Sequence, residues 1–444
     1  MSVTVVGAGL AGCEAAWALA GFGIPVTIYE MKPVRFSAAH DSPDFAELVC
    51  SNSFRSDSLK SAVGILKQEL RSLGSLIMEA ADCAAVPAGK ALAVNRVAFS
   101  RHITNRIEDC PHITVKRMEV TQLSADFDEL VIIATGPLTS DSLANEIAAK
   151  IGESGLHFYD AIAPIVYADS LDMDKLFQAS RYEEGPGDYL NAPMNRDLYE
   201  RFVLEIRGAT KVEPYPFEKI PHFEGCLPIE ELARRGLETL AFGPMKPVGL
   251  IDPKTGARPH AVVQLRAENI ERTLYNLVGF QTKMTYSEQE RIFRLIPGLE
   301  NAVFARLGSI HRNTFINAPA LLDEFSRARI WPKIFFAGQI TGVEGYVEST
   351  ASGLAVGLMC ALISEGITPP VPPVESAIGG LLKHTRDIPV KKYEPMNVNF
   401  GMIKSYVGGA RKACKEDIAR LAISSAINWK TELENLWNLK MSKV

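Results

Sequence analysis

The 444-residue sequence predicts an α/β protein whose main sheet is parallel and discontinuous in the chain. Three observations predict it. A short apolar strand, Val3 to Val6, runs straight into Gly7-Ala8-Gly9-Leu10-Ala11-Gly12. A second strand, Val26 to Tyr29, ends on the acid Glu30. Two more apolar strands, Leu130 to Ile133 and Ile334 to Phe336, end in glycine-bearing turns far along the chain. Strand ends so widely separated imply one sheet with material inserted between its parts.

The opening turn reads as a Rossmann-type dinucleotide-binding element. Its first glycine turns the chain tightly, its second lets backbone approach a pyrophosphate, and its third lets helix pack on strand. Phosphates then sit at the N-terminus of the helix that Leu10 and Ala11 begin. Glu30 lies 18 residues beyond Gly12, close to the spacing of about 20 expected of a ribose-binding acid. This motif alone does not separate FAD from NAD.

From Lys32 to Asp57 the chain is irregular and polar and contains Cys50-Ser51-Asn52-Ser53, and a loop of that length is commonly functional. Leu59, Val63, Leu66, Leu70, Leu73 and Ile77 then follow helical spacing, with Ser56 or Asp57 as cap. The Leu130 strand ends in Ala134-Thr135-Gly136-Pro137, a turn of the kind that closes over a flavin adenosine, with Thr135 and Gly136 as expected contacts. The last strand leads into Ala337-Gly338-Gln339 and a loop with Gly342, Gly345 and Tyr346. Gly353 and Gly357, with Ala351 and Ala355, make a small-residue helix face suited to close packing. The expected domains are a nucleotide-binding domain from 1–150, 215–265 and 318–370, an inserted α/β domain from 151–214 and 266–317, and a helical C-terminal region, 371–444. The Pro369-Pro370-Val371-Pro372-Pro373 segment stiffens the junction.

Composition narrows the function class. Hydrophobic residues at 47% and charged at 22% describe an ordinary globular chain. The net charge of -5 argues against a bulk electrostatic nucleic-acid binder. Residues 371–444, however, hold 12 Lys/Arg against 7 Asp/Glu, net +5, whereas the rest, with 35 against 45, is net -10. Lys391, Lys392, Arg411, Lys412 and Lys415 are the expected RNA contacts, the bland alternative being a solvated basic face. Seven cysteines with no C-x-x-C pair fit reduced thiols better than disulfides or a zinc site, and they disfavour a disulfide reductase. No metal is expected. The first strand begins at once and no 18-residue uncharged apolar run occurs, so a cytoplasmic protein without membrane attachment is expected.

At Leu48-Val49-Cys50-Ser51-Asn52-Ser53-Phe54-Arg55-Ser56-Asp57 the chain resembles the bacterial folate- and FAD-dependent tRNA uracil methyltransferases, the TrmFO family. The likeness recurs at Phe223-Glu224-Gly225-Cys226-Leu227-Pro228-Ile229-Glu230, at Ala337 to Tyr346 and at Pro395-Met396-Asn397-Val398-Asn399-Phe400-Gly401. The related MnmG (GidA) proteins, which modify wobble uridines, share the Ala-Gly-Gln loop. They have a longer C-terminal part and a Gly-Tyr-Glu-Glu pattern where this chain has Gly345-Tyr346-Val347-Glu348.

The resemblance implies methylation of a T-loop uridine at C5, with carbon from methylenetetrahydrofolate and electrons from NADPH or NADH through FAD. Thiolate addition at uracil C6 and removal of the C5 proton call for a nucleophile and a second proton-handling group. Family likeness assigns Cys226 as nucleophile and Cys50 as proton-transfer partner, though the sequence equally permits the reverse. Cys50 precedes a helix and has Arg55 nearby, features that activate thiols. Cys13, Cys83 and Cys360 read as buried small hydrophobes, while Cys110 and Cys414 stay unassigned. Tyr346 fits either a stacking or gating role at the cofactor or ordinary packing, and Glu344 and Glu348 read as solvated charges. The alternatives are ribosomal RNA as substrate, MnmG-like chemistry, or a non-catalytic flavin-bearing RNA binder.

Overall fold

The computed structural model describes residues 2–123, 129–151, 156–181, 187–212, 227–389, 393–403 and 414–442. Its first sheet is built from β1 (Val3–Val6), β2 (Val26–Glu30), β3 (Ile113–Arg117), β4 (Leu130–Ile133), β5 (Arg327–Ala328) and β6 (Trp331–Phe336), in the spatial order β5-β6-β4-β1-β2-β3. All neighbours are parallel except the β5–β6 edge pair. Val5 pairs with Ile28 on one side and Ile132 on the other, and Ile132 pairs with Phe335. The discontinuous sheet is therefore real, and its central strands bring the three glycine turns to one edge.

Helix α1 (Leu10–Gly21) is crossed by the long apolar α3 (Tyr346–Ser364), with α2 (Ala62–Leu73) in the chain between them. A Cβ on Gly353 would lie 2.3 Å from the Ala11 carbonyl oxygen, and one on Gly357 would lie 2.7 Å from that of Ala15. The small-residue face thus lets two backbones touch. Helix α3 is the one helix among the described residues long and apolar enough to cross a membrane, and 94% of that stretch is buried in this core. The expected single helix after Asp57 is two. Ser61 caps α2, Gly74 ends it at φ +81°, and Ser75 caps a second helix, Leu76–Cys83. Leu59 falls before the cap and is 42% exposed. Cys13 and Cys360 are buried as expected, but Cys83 is exposed.

The second sheet is antiparallel, in the order Phe177–Gln178, Tyr189–Met194, Ala261–Ala267, Leu274–Leu277, Ile165–Tyr167, Phe304–Arg306. Helices including Arg196–Gly208 and Tyr286–Phe293 pack on it around Tyr199, Phe202, Phe280 and Phe293. This corrects the expected boundary, because the described part of 215–265 belongs here. Ile229, Ala233, Leu240, Met245 and Val263 join this core, and Ala261–Ala267, buried along its whole length, pairs on both sides.

The C-terminal region is helical but shares the first core. Glu69 accepts the Ala377 and Ile378 backbone N–H groups at 2.7 and 3.0 Å, capping α4 (Ala377–Asp387). Helix α5 (Lys415–Met441) buries Ala419, Ala422, Trp429 and Leu433 in the same core. Its Trp429 indole donates to the Pro370 carbonyl at 2.8 Å.

Candidate active site

Three strand ends shape a cleft. Gly7 has φ +100°, and a Cβ there would lie 2.7 Å from the Ala134 carbonyl oxygen. A Cβ on Gly12 would lie 1.8 Å from the Gly7 carbonyl, whereas one on Gly9 meets nothing within 4 Å. The three glycines therefore do different things: Gly7 turns, Gly12 packs, and Gly9 leaves room for something outside the chain. Gly9, Leu10, Ala11, Glu30, Thr135, Gly136, Gln339 and Tyr346 all line this cleft with Gly7. Buried Glu30 accepts the Ala8 N–H on one oxygen at 2.8 Å and the Lys32 N–H on the other at 2.9 Å. Each oxygen keeps a lone pair for a ligand hydroxyl. Gly12, Gly338 and Gly342 are absent from the lining. Gly338 abuts Ala11, and a Cβ on Gly342, at φ +86°, would collide with the Tyr393 phenol, so these two serve packing.

A second chamber adjoins the first, and the two share Val49, Pro137, Leu138, Gln339 and Tyr346 as walls. Cys50 lines it, with Ser51, Ser53, Arg55, Arg266, Asn276, Gln281 and Asn397 among its polar neighbours. The Tyr346 hydroxyl accepts the Cys50 N–H at 2.9 Å and the Ser51 N–H at 3.1 Å. Burial, and then the adjacent Cys50, push that phenol well above its ordinary range.

Three arginines from other parts of the chain fix the same loop. Arg96 donates to the Leu48 carbonyl at 2.7 Å while pairing with Glu268, also at 2.7 Å. Arg306 donates to the Val49 carbonyl at 3.1 Å. Buried Arg266 donates to Asn52 and Ser51 side chains, each at 2.8 Å, and the Asn52 amide donates on to the Val94 and Ala267 carbonyls. Arg266 and Arg306 lie in the second sheet and Glu268 directly follows its strand Ala261–Ala267, so docking of the two domains sets the position of the Cys50 loop.

Two expectations are corrected here. Glu348 is completely buried rather than solvated, and it holds the Arg55 guanidinium. Glu344 is 5% exposed and accepts from the Gln339 amide at 2.7 Å. Arg55 is thus neutralised by a partner, and the cations that bond the Cys50 loop backbone are Arg96 and Arg306.

Comparison with known proteins agrees with this architecture. Residues 2–368 match the family model described as glucose inhibited division protein A. The chain is 57% identical over 430 residues to a methylenetetrahydrofolate–tRNA-(uracil-5-)-methyltransferase TrmFO of Geobacter sulfurreducens, covering 96% of this chain and 98% of that one. A TrmFO of Syntrophus aciditrophicus is 54% identical over 433 residues, covering 97% and 98%. The chain belongs to the TrmFO family. Among solved structures, Aquifex aeolicus GidA superposes with a TM-score of 0.71 at 16% identity, over 99% of this chain and 78% of that one. That likeness speaks for the fold.

Within this TrmFO-family chain the structure brings Cys50, Tyr346 and the glycine turn to two adjoining cavities, with Tyr346 lining both. Cys226, Lys391, Lys392, Arg411 and Lys412 lie outside the described residues. Lys415 opens α5 with its ammonium 5.0 Å over the Phe400 ring. Among the described residues no cluster of His, Cys, Asp or Glu is arranged to hold a metal ion. Sequence reading missed Arg96, Arg266, Arg306 and Glu268. Only Arg266 carried a signal, being the one charged residue inside the largely apolar strand Ala261–Ala267.

Proposed function

We propose that this protein forms 5-methyluridine in the T-loop of tRNA, taking carbon from methylenetetrahydrofolate and electrons from NAD(P)H through FAD. The observation that carries the reading is the shared wall of the two cavities, which lets a dinucleotide in the first reach the Cys50 loop in the second. The names of the relatives supply the carbon donor and the RNA. The residues fit FAD: Gly9 is open where Gly7 and Gly12 are closed, and Glu30 has lone pairs left for a ribose. Bound there, FAD supplies the hydride that converts a one-carbon unit at the methylene level into methyl, at the expense of NAD(P)H.

The protein's own share is acid, base and nucleophile. The Cys226 thiolate adds to uracil C6, and the electron pair displaced onto the ring makes C5 nucleophilic toward the methylene carbon. The Cys50 sulfur takes the C5 proton, and the electron pair left at C5 expels the tetrahydrofolate amine, leaving an exocyclic methylene with Cys226 still bonded at C6. Hydride addition to that methylene returns a pair to C5, which expels the Cys226 thiolate and restores the ring double bond. The Tyr346 hydroxyl and Arg96 hold the backbone on either side of Cys50, keeping its position fixed through these steps. Cys226 itself lies outside the described residues; Ile229, three positions on in sequence, donates its N–H at 2.8 Å to the carbonyl of Gln281, a chamber-lining residue.

The test is carbon tracing. Purified protein, NADPH, unmodified tRNA transcript and methylenetetrahydrofolate labelled at the methylene carbon are expected to place label in one uridine. Label absent from RNA, or methylation requiring S-adenosylmethionine, would overturn the reading.

A further inference from the structure

Arg55 is a strained residue aimed into the second chamber, and the methyltransferase reading leaves it without a role. Its backbone is left-handed at φ +62°, a conformation that costs a non-glycine residue and persists only where the surroundings impose it. The surroundings do so from both sides. Its N–H donates to the Ser53 hydroxyl at 3.0 Å, and its carbonyl accepts from Lys67 at 3.2 Å. Lys67 is itself buried and paired with Asp57 at 3.1 Å.

The side chain reaches Glu348, which is fully buried and also accepts the Val398 N–H at 2.9 Å. Only one guanidinium nitrogen is used in this pair. Among the described residues, Nε and the second terminal nitrogen meet no partner, while the side chain is 39% exposed on the chamber wall. Gly345 is what lets it lie there, since a Cβ on that residue, at φ +106°, would fall 2.6 Å from a Glu348 oxygen and 3.4 Å from the guanidinium.

Charge decides what such an arginine prefers. With Glu348 neutralising it, Arg55 offers directional N–H donors but little net field, so a phosphate gains less from it than from a bare arginine. A planar heterocycle with a lactam carbonyl gains the donors without needing the charge. We propose that Arg55 is a substrate-binding residue that donates to a ring carbonyl in the second chamber, of the uracil or of the pterin. The proposal rests on the methyltransferase reading for those two sources, and its test is by binding so that the two fail separately.

Equilibrium dissociation constants are measured for tetrahydrofolate alone and for an unmodified tRNA transcript, with wild type and with Arg55→Lys, which keeps the ion pair and loses the planar donors. Arg55→Gln serves as a second variant, and flavin content and melting temperature verify folding. The expected result is a rise of about tenfold in Kd for one of the two probes, the probe affected naming the ring, with the salt slope of RNA binding unchanged. Unchanged Kd for both probes, or a salt slope shallower by about one as for a lost phosphate contact, would overturn the proposal. If neither probe binds wild type, the failure is that of the methyltransferase reading.

Discussion

The nucleotide cleft and the Cys50 chamber meet at Tyr346 but are made in different ways. The cleft is a backbone object. Its shape follows from where a Cβ is forbidden, as at Gly7 and Gly12, and where one is merely unwelcome to a ligand, as at Gly9. The chamber is a side-chain object. Cys50 is placed by Tyr346 from α3 and by arginines at 96, 266 and 306, each hydrogen-bonded to a backbone or polar atom of one short loop. A local motif can therefore encode the cleft, while the chamber exists only after two domains have docked.

Substitutions can break or sharpen that contrast. The largest expected effect is at Cys50: Cys50→Ala loses at least about 10³-fold in methylation while flavin absorbance is retained, because the thiol touches chemistry and not the cleft. Next is the pair of glycines. Gly12→Ala is expected to cost about 3 kcal/mol or more of stability, since its Cβ meets backbone at 1.8 Å. Gly9→Ala should leave the melting temperature of flavin-free protein near wild type yet weaken FAD binding about tenfold or more, seen by titration.

Loosening the chamber should be intermediate. Glu268→Gln removes the acid that fixes Arg96, and kcat is expected to fall about tenfold with flavin affinity unchanged. Faster alkylation of Cys50, read by peptide mass analysis, would confirm that the loop has moved rather than the cofactor.

The smallest effect concerns pH. Glu14 and Glu69 are buried carboxylates whose pKa values burial pushes up to about 8, against the N–H groups they accept. Their folded values exceed the unfolded ones, so the stability they contribute is complete below about 4.5 and is lost as pH rises through about 8. Glu69→Gln is expected to flatten that decline by about 1 kcal/mol in denaturant melts at pH 5 and pH 9.

The same contrast explains what the sequence made legible. The glycine turn, Glu30 and the three strand ends were readable because each is a local pattern with a local cause. The Gly353 and Gly357 face was readable for the same reason. Arg96, Arg306 and Glu268 were not, since their partners lie 48, 257 and 172 residues away and no spacing announces them. Glu348 misled as a nominally charged residue after a glycine loop; its burial depends on Arg55 and Val398 arriving from opposite ends of the chain. The helix break at Gly74-Ser75 was hidden because apolar spacing continued across it, although both residues are stop and start signals. Placing 215–265 with the first domain failed because strand Ala261–Ala267, buried along its whole length, suits either sheet and is assigned only by its antiparallel partners.

The central claim is that the dinucleotide cleft and the Cys50 chamber work as one site. Nucleoside mass analysis of an unmodified tRNA transcript, incubated with methylenetetrahydrofolate, NADPH and either wild type or Cys50→Ala, tests it most directly. Both proteins are expected to be yellow and to oxidise NADPH, and only wild type should add one methyl group to a T-loop uridine. Methylation by Cys50→Ala at the wild-type rate, or none by yellow wild type, would contradict it.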